Sequence, residues 1–217
     1  DRRQRQMCIR DRFKTRRAAY YDAFTEPLEE REEARVIREK DDINQAKLVI
    51  GCNIEDMSSF DLNFSLTLYT LILGGTPDSK FFKNIREKYS LCYYITASSL
   101  KLNHAMLFKA GIDSKNFDET LEHIRHEMKE MELGHFTDTD IESAKQTYLT
   151  MLKSITDSQK SMAYSVLLMK SLDLGTIEER RENILKVTKE QIMEVAKKIK
   201  INTIYLLEEA SHEESGV

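Results

Sequence analysis

One arginine and one tyrosine of this chain lie on either side of a single predicted helix-to-strand turn. Arg86 ends a short predicted helix, and Tyr93 follows seven residues later in a tyrosine-rich predicted strand. A guanidinium can hold a carbonyl group, and a phenol can donate a hydrogen bond to an oxyanion. Either side chain could therefore bind an oxygen atom of a ligand. A helix-terminal arginine favoured by the helix dipole and a core tyrosine are the simpler alternative.

A second group of candidate residues lies on a predicted helix in the middle of the chain. His123 and His126 are three residues apart, so both imidazoles share one helix face and could reach one metal ion. Glu127 is adjacent to His126, about 100° around the helix, whereas zinc-peptidase motifs place the glutamate differently. The apolar stripe of this helix consists of Phe117, Leu121, Ile124 and Met128. That stripe leaves His126 and Glu127 facing away from the core, so a solvated face is favoured and no metal site is predicted.

Composition indicates one large globular domain. The chain has 217 residues, of which 41% are hydrophobic and 32% charged, as is typical of a folded rather than a disordered protein. Its apolar runs are far shorter than a membrane span, so no membrane association is predicted. The 3 cysteines match no zinc or redox spacing, and an odd number argues against a disulfide framework. A reducing, cytoplasmic setting is therefore predicted.

The two ends of the chain differ from its middle. Residues 1–12, DRRQRQMCIRDR, have no hydrophobic periodicity and are interpreted as a foreign or artefactual segment. Residues 13–42 are predicted to be a helical or flexible connector from a missing N-terminal half. The domain itself is predicted at 43–210, with a frayed tail at 211–217. Without the arginine-rich start the chain carries a net charge of −7, which argues against a nucleic-acid partner.

The hydrophobic patterns of the domain predict an α+β layout with a largely antiparallel sheet and helices on one face. Strands are predicted at 47–53, 91–100, 105–112 and 202–207, and helices at 60–73, after residue 78, after residue 116, after a capping box at Thr139-x-x-Glu142, at 157–174, and after boxes at Thr176 and Thr188. The methionines of the helical half are predicted to be adaptable core residues, namely Met128, Met131, Met151, Met162 and Met169.

Several segments share their order with a known family. They are QAKLVIG, LGG, REKYSLCYY, the Gly111-Ile112-Asp113 step and VTKEQIMEVAKKI, within residues 43–207. In this order they resemble the C-terminal, non-zinc domain of the insulinase/pitrilysin (inverzincin) zinc metallopeptidases. Among these, the chain is most similar to bacterial pitrilysin-like proteins that work as paired subunits. The resemblance implies a processing-peptidase-like metallohydrolase domain.

The resemblance also assigns roles to particular residues. Arg86 and Tyr93 would face the substrate and contact its carbonyl or oxyanion, although the family usually has a small residue where Cys92 stands. Gly74 and Gly75 would match a glycine-rich substrate loop found in some members, or they simply stop the preceding helix. The zinc motif His-x-x-Glu-His is absent from this sequence. No cofactor is therefore expected in this chain, and zinc is expected on a partner domain or subunit.

Two functions follow from the resemblance. In the first, the chain helps to bind and position a peptide substrate in a chamber whose zinc site lies on the missing N-terminal half or on a homologous zinc-bearing subunit. The chain would then be inactive by itself, and whether the complete protein is an enzyme stays open. In the alternative, the chain is a catalytically inactive interaction subunit. Some related proteins are associated with elongation factor P modification, which is a further form of that alternative.

Overall fold

The computed structural model describes residues 33–210, which form one mixed sheet and seven helices within that range. The strands are β1 Arg35–Asp41, β2 Ala46–Ile54, β3 Cys92–Leu100, β4 Ala105–Ile112 and β5 Ile199–Glu209. Helix α1 consists of three consecutive helical segments, Asp61–Ser65, Leu66–Thr70 and Leu71–Gly75, of which the first and last are π-helical. The other helices are α2 Phe81–Lys88 (also π-helical), α3 Phe117–Glu132, α4 Asp138–Ser154, α5 Gln159–Leu172, α6 Ile177–Lys186 and α7 Lys189–Lys197.

The sheet has the strand order β1-β5-β2-β4-β3. Three of its four pairings are antiparallel, and only β1 with β5 is parallel. Strand β2 lies at the centre, and its alternate residues from Ala46 to Ile54 are buried. This period-2 pattern marks one face against the core and one face away from it. The predicted α+β class, with a largely antiparallel sheet and helices on one face, is confirmed.

Within residues 33–210 the helices lie on the core side of the sheet, and the opposite side is partly open. On that side Val49 pairs with Lys109 and with Tyr205, and Thr96 pairs with Lys109. These four residues are half-buried or exposed, whereas their strand neighbours toward the helices are buried. We call this side the open face. It is the surface that brings residues from four strands together.

The N-terminal part of the described chain differs from the prediction. The sequence predicted a helical or flexible connector over 13–42, but residues 35–41 form strand β1. Six of its seven residues are exposed and only Ile37 is half-buried, so a hydrophobic pattern typical of a buried strand is lacking. Pairing with β5 decides the conformation instead. The predictions for residues 1–12 and 211–217 lie outside the described residues, and the domain boundaries stay predictions.

The helix ends show where local signals were correct. Capping boxes at Thr176 with Glu179 and at Thr188 with Gln191 are confirmed. The box predicted at Thr139 and Glu142 is wrong, because Thr137 caps α4. Its hydroxyl accepts from Asp140 N, and Asp140 accepts from Thr137 N at 2.8 Å. A shorter Asp side chain at the third helical position thus takes the role that glutamate has more often.

Candidate functional site

A β-bulge at the start of β3 determines where Tyr93 lies. Cys92 pairs with Ile112 and Tyr94 pairs with Gly111, which leaves Tyr93 as an extra residue between two ladder positions. The in-out alternation breaks there: Cys92 and the later Ile95 are buried, while Tyr93 and Tyr94 are 67% and 42% exposed. A bulge of this kind redirects side chains and is common beside functional sites. Both tyrosines are therefore turned away from the core, which excludes the alternative that Tyr93 is a core residue.

Tyr93 lines a cleft of about 520 Å³ at one end of the sheet. The cleft lies where β2 and β3 begin and where β4 and β5 end. Its other lining residues are Asn44, Gln45, Ala46, Ile112, Asp113, Ser114, Glu209 and Ala210. Two side-chain amides, one hydroxyl and two carboxylates thus surround one phenol. Such a lining suits a polar, extended ligand better than a compact apolar one.

An ion pair stands at the rim of this cleft. Lys115 Nζ lies 2.9 Å from Asp113 Oδ2, and both groups are exposed. Hydrogen bonds from Lys115 lower the pKa of Asp113, and the same contact raises the pKa of Lys115. Tyr93 is close enough to Lys115 to interact with its charge. The carboxylate in the cleft therefore stays ionised, with its countercharge beside Tyr93.

Arg86 lies in the last turn of α2 and is exposed. Its guanidinium carbon stands 4.6 Å from the centre of the Phe82 ring, one turn earlier on the same helix. This cation–π contact limits the conformations that the arginine can adopt. Burial raises the pKa of the Cys92 thiol to about 11, and the nearby charge of Arg86 opposes this rise. Arg86 thus lies near the residue that precedes Tyr93, but it does not line the same cleft.

Gly74 allows helix α1 to approach strand β3 closely. A Cβ atom at Gly74 would lie 2.6 Å from Phe81 Cδ2 and 2.8 Å from Ala97 Cβ. Gly75 is exposed, and the chain turns to an extended conformation at Thr76. Both glycines lie inside the last turn of the helix, not beyond it. The helix end that the sequence predicted is present. The close packing of Phe81 and Ala97 explains why position 74 is a glycine.

The second group of candidates is arranged differently from the prediction. His126 is exposed, as expected, but Glu127 is 4% exposed and does not face away. Helix α2 packs against this part of α3, so Glu127 lies 3.1 Å from Lys80 Nζ and accepts from Asn84 Nδ2 at 2.7 Å. A buried carboxylate needs such partners, which the sequence pattern of α3 alone could not indicate.

His123 has a partner that is not a metal. Its ring stacks on Tyr89, with centroids 4.0 Å apart and planes inclined by 28°. Within residues 33–210, no three His, Cys, Asp or Glu side chains are grouped so that they could hold a metal ion. A zinc ion therefore finds no donor set in the part of the chain that the structure describes. In the same range, no helix is long and apolar enough to cross a lipid bilayer.

Sequence reasoning missed two features of the site. The bulge is one of them: it turns Tyr94 outward beside Tyr93, although Tyr94 does not line the cleft. The other is the cleft lining: Gln45 immediately precedes β2, and Glu209 ends β5. The doubled tyrosine was the only sequence signal for the bulge, since strict alternation would bury one of two adjacent tyrosines.

Comparisons with known proteins agree with this fold. The family model of the peptidase M16 inactive domain matches residues 8–148. A relative from Bacillus subtilis (strain 168), described as "Probable inactive metalloprotease YmfF", is 27% identical over 209 residues, which are 95% of this chain and 49% of that protein. The chain belongs to the peptidase M16 family and is of the inactive-domain type. It spans about half the length of the curated relative that it matches.

Solved structures show the same architecture. A conserved protein from Enterococcus faecalis V583 superposes with a TM-score of 0.78 at 28% identity, covering 85% of this chain and 44% of that one. The peptidase M16 inactive domain from Pseudomonas fluorescens superposes with a TM-score of 0.65 at 17% identity, covering 82% and 44%. In both cases this chain corresponds to less than half of a longer chain. The predicted insulinase/pitrilysin resemblance is confirmed.

Proposed function

We propose that this chain is the zinc-free half of a peptidase-like protein. The cleft that Tyr93 lines at one end of the sheet would bind and position a peptide. The zinc ion would lie on another domain or subunit, where the family resemblance expects His-x-x-Glu-His. The observation that carries the proposal is the bulge, which turns Tyr93 out of the core and into a cleft. A redirected phenol in a concave, polar surface is of little use to packing, but it suits ligand binding.

The residues of this chain would act by binding and orientation. The Tyr93 phenol is 67% exposed and can donate a hydrogen bond to a substrate carbonyl or its oxyanion. Arg86, held over the Phe82 ring, would offer its guanidinium to a neighbouring carbonyl of the same peptide. The zinc ion of the partner would supply the activated water. Gly74 and Gly75 are not needed for this role, since close packing accounts for Gly74.

The hydroxyl of Tyr93 tests the proposal. In the complete protein, Tyr93→Phe should lower peptide turnover at least about tenfold, as is typical when an oxyanion donor is removed. Tyr94→Phe is the matched control, because it removes a hydroxyl from the adjacent outward-facing tyrosine. Its turnover should change less than about twofold. Equal effects of the two variants, or unchanged turnover in Tyr93→Phe, would remove Tyr93 from the mechanism.

A second candidate function is that of an inactive interaction subunit. The relative from Bacillus subtilis is described as an inactive metalloprotease, and that description favours this candidate. The two functions differ in whether a zinc motif accompanies this domain. The complete coding sequence and its genomic neighbour should therefore be searched for His-x-x-Glu-His. Absence from both would favour a scaffold that binds peptides or proteins without cleaving them.

The proposal places the protein in the cytoplasm. Cys52 and Cys92 are both buried free thiols. Burial raises the pKa of the Cys52 thiol to about 12 and that of Cys92 to about 11, so both stay protonated and unreactive near neutral pH. This use of cysteine as a small apolar core residue is consistent with a reducing compartment.

A further inference from the structure

Helix α5 has its apolar side chains on the outside. Ser165 is its only buried residue, while Met162, Tyr164, Val166 and Leu167 are between 49% and 61% exposed. At 100° per residue, these four side chains spread over an arc of about 200° on the side opposite Ser165. A surface helix usually turns its apolar side chains toward the core, so this arrangement is the reverse of the usual one. Because Met151 is 47% exposed and Met162 is 49% exposed, the expectation that these two methionines lie in the core is wrong.

The inner side of α5 rests on polar contacts. Arg180 of α6 is buried and donates to Ser165 Oγ at 3.3 Å and to Gly175 O at 3.3 Å. Asn63 of α1 donates to Leu172 O, at the end of α5, at 2.8 Å. These bonds hold the helix in place through its backbone and one serine. They leave Met162, Tyr164, Val166 and Leu167 exposed on the outer side, while Leu168, Met169 and Leu172 are half-buried.

We infer that the outer face of α5 (Met162, Tyr164, Val166 and Leu167) is the docking surface for a companion domain of the same polypeptide. The chain spans 49% of its curated relative and 44% of the solved chains on which it superposes. In those proteins this domain is thus joined to a further stretch of chain of similar length. Clustered exposed apolar side chains of this kind mark an interaction surface, and interfaces between domains of one chain are built from such patches.

Charge adds a requirement for the companion surface. The sequence of α5, QKSMAYSVLLMKSL, has two lysines and no acidic residue. Lys160 and Lys170 lie within the same outer arc, and both are exposed. The companion surface should therefore be apolar with carboxylates at its rim, since complementary charges fix the orientation of two docked surfaces. The inference relies on the proposed function only for the existence of a companion domain.

Photo-crosslinking in the complete protein tests this placement without measuring turnover. A benzophenone amino acid is introduced at Leu167, and the same amino acid at Leu133 of the α3 end is the control, because that leucine is 51% exposed. We expect position 167 to link to residues outside this domain within the same polypeptide, at least tenfold more than position 133. Links to a second copy, or equal yields at the two positions, would overturn the inference.

Hydrogen exchange gives a second readout. In the complete protein, amide exchange in α5 should be at least tenfold faster in Leu167→Glu than in Leu133→Glu, because a buried carboxylate would expel the companion surface from α5. Identical α5 exchange in the two variants would contradict the inference. Failure of Tyr93→Phe to affect turnover would leave these results untouched, so the two proposals can fail separately.

Discussion

The ring of Tyr94 lies directly over Gly111 on the neighbouring strand. A Cβ atom at position 111 would collide with Tyr94 Cε1, and it would stand 2.9 Å from Gln45 Oε1. Gly111 is the ladder partner of Tyr94, and the bulged Tyr93 immediately precedes Tyr94 in β3. Because Gly111 has no side chain, the Tyr94 ring can lie against the backbone of β4 beside the cleft. Aromatic rings cover strand glycines in this way in other β-sheets.

The first prediction concerns this tyrosine–glycine contact. Tyr94→Ala should lower the free energy of unfolding by about 1 kcal/mol although the side chain is 42% exposed, because the ring shields the Gly111 backbone. The α-proton resonances of Gly111 should move when the ring is lost. Gly51 is the internal control, since the nearest atom to its added Cβ is Thr203 O at 3.8 Å. Unmoved Gly111 resonances would show that the ring does not lie there in solution.

The second prediction separates two glycines by the space around them. Gly74→Ala should lower the free energy of unfolding by about 1–3 kcal/mol. The new Cβ would lie 2.6 Å from Phe81 Cδ2 and 2.9 Å from Ala97 N. Gly51→Ala should change stability by less than about 0.5 kcal/mol, since that position is open. Urea unfolding of both variants measures the difference. Equal costs would mean that α1 does not pack against β3 as described.

The third prediction uses two threonines that are two residues apart. Thr137→Ala should cost about 1 kcal/mol, because its hydroxyl caps α4. Thr139→Ala should be close to neutral, since Thr139 lies inside the first turn and is exposed. Thermal unfolding of the two variants would give the opposite order if the capping box were at Thr139 and Glu142, as the sequence pattern had indicated.

The fourth prediction concerns the dependence of stability on pH. Lys101 Nζ donates to Asn63 O and to Thr67 Oγ1, both at 2.7 Å. Burial, together with the weaker effect of the nearby Arg180 charge, lowers its pKa from 10.5 to about 7. Between pH 7 and 10.5 the unfolded state therefore binds the proton that the folded state has lost. In this window the Lys101 contribution must make the protein more stable as pH rises.

A variant isolates this contribution from other groups. The thiols of Cys52 and Cys92 have raised pKa values, so their contribution decreases at alkaline pH and opposes that of Lys101. We expect the stability of the native chain relative to Lys101→Met to rise by roughly 2 kcal/mol between pH 7.5 and 9.5. Urea unfolding at the two pH values measures this difference. A difference that does not change with pH would show that Lys101 titrates normally.

Much of the fold was predictable because its signals are local. The capping boxes at Thr176 and Thr188 and the apolar stripe of α3 specify helices from neighbouring residues alone. The alternation in β2 likewise marks a strand with one buried face. Strand β1 was missed because six of its seven residues are exposed, and its parallel partner β5 is about 170 residues further along the chain.

For this protein, the sequence by itself determined most of the helices, the alternation of β2 and the Arg86–Tyr93 spacing, since each depends on residues close together in the chain. The family followed from the order of several such segments. Only the tertiary structure decided that Tyr93 and Tyr94 both face outward, that Glu127 is buried against Lys80, and that α5 exposes its apolar side. The bulge depends on the register between β3 and β4, and burial depends on which helix covers which face. Both are set by contacts between distant segments, which no short sequence pattern records.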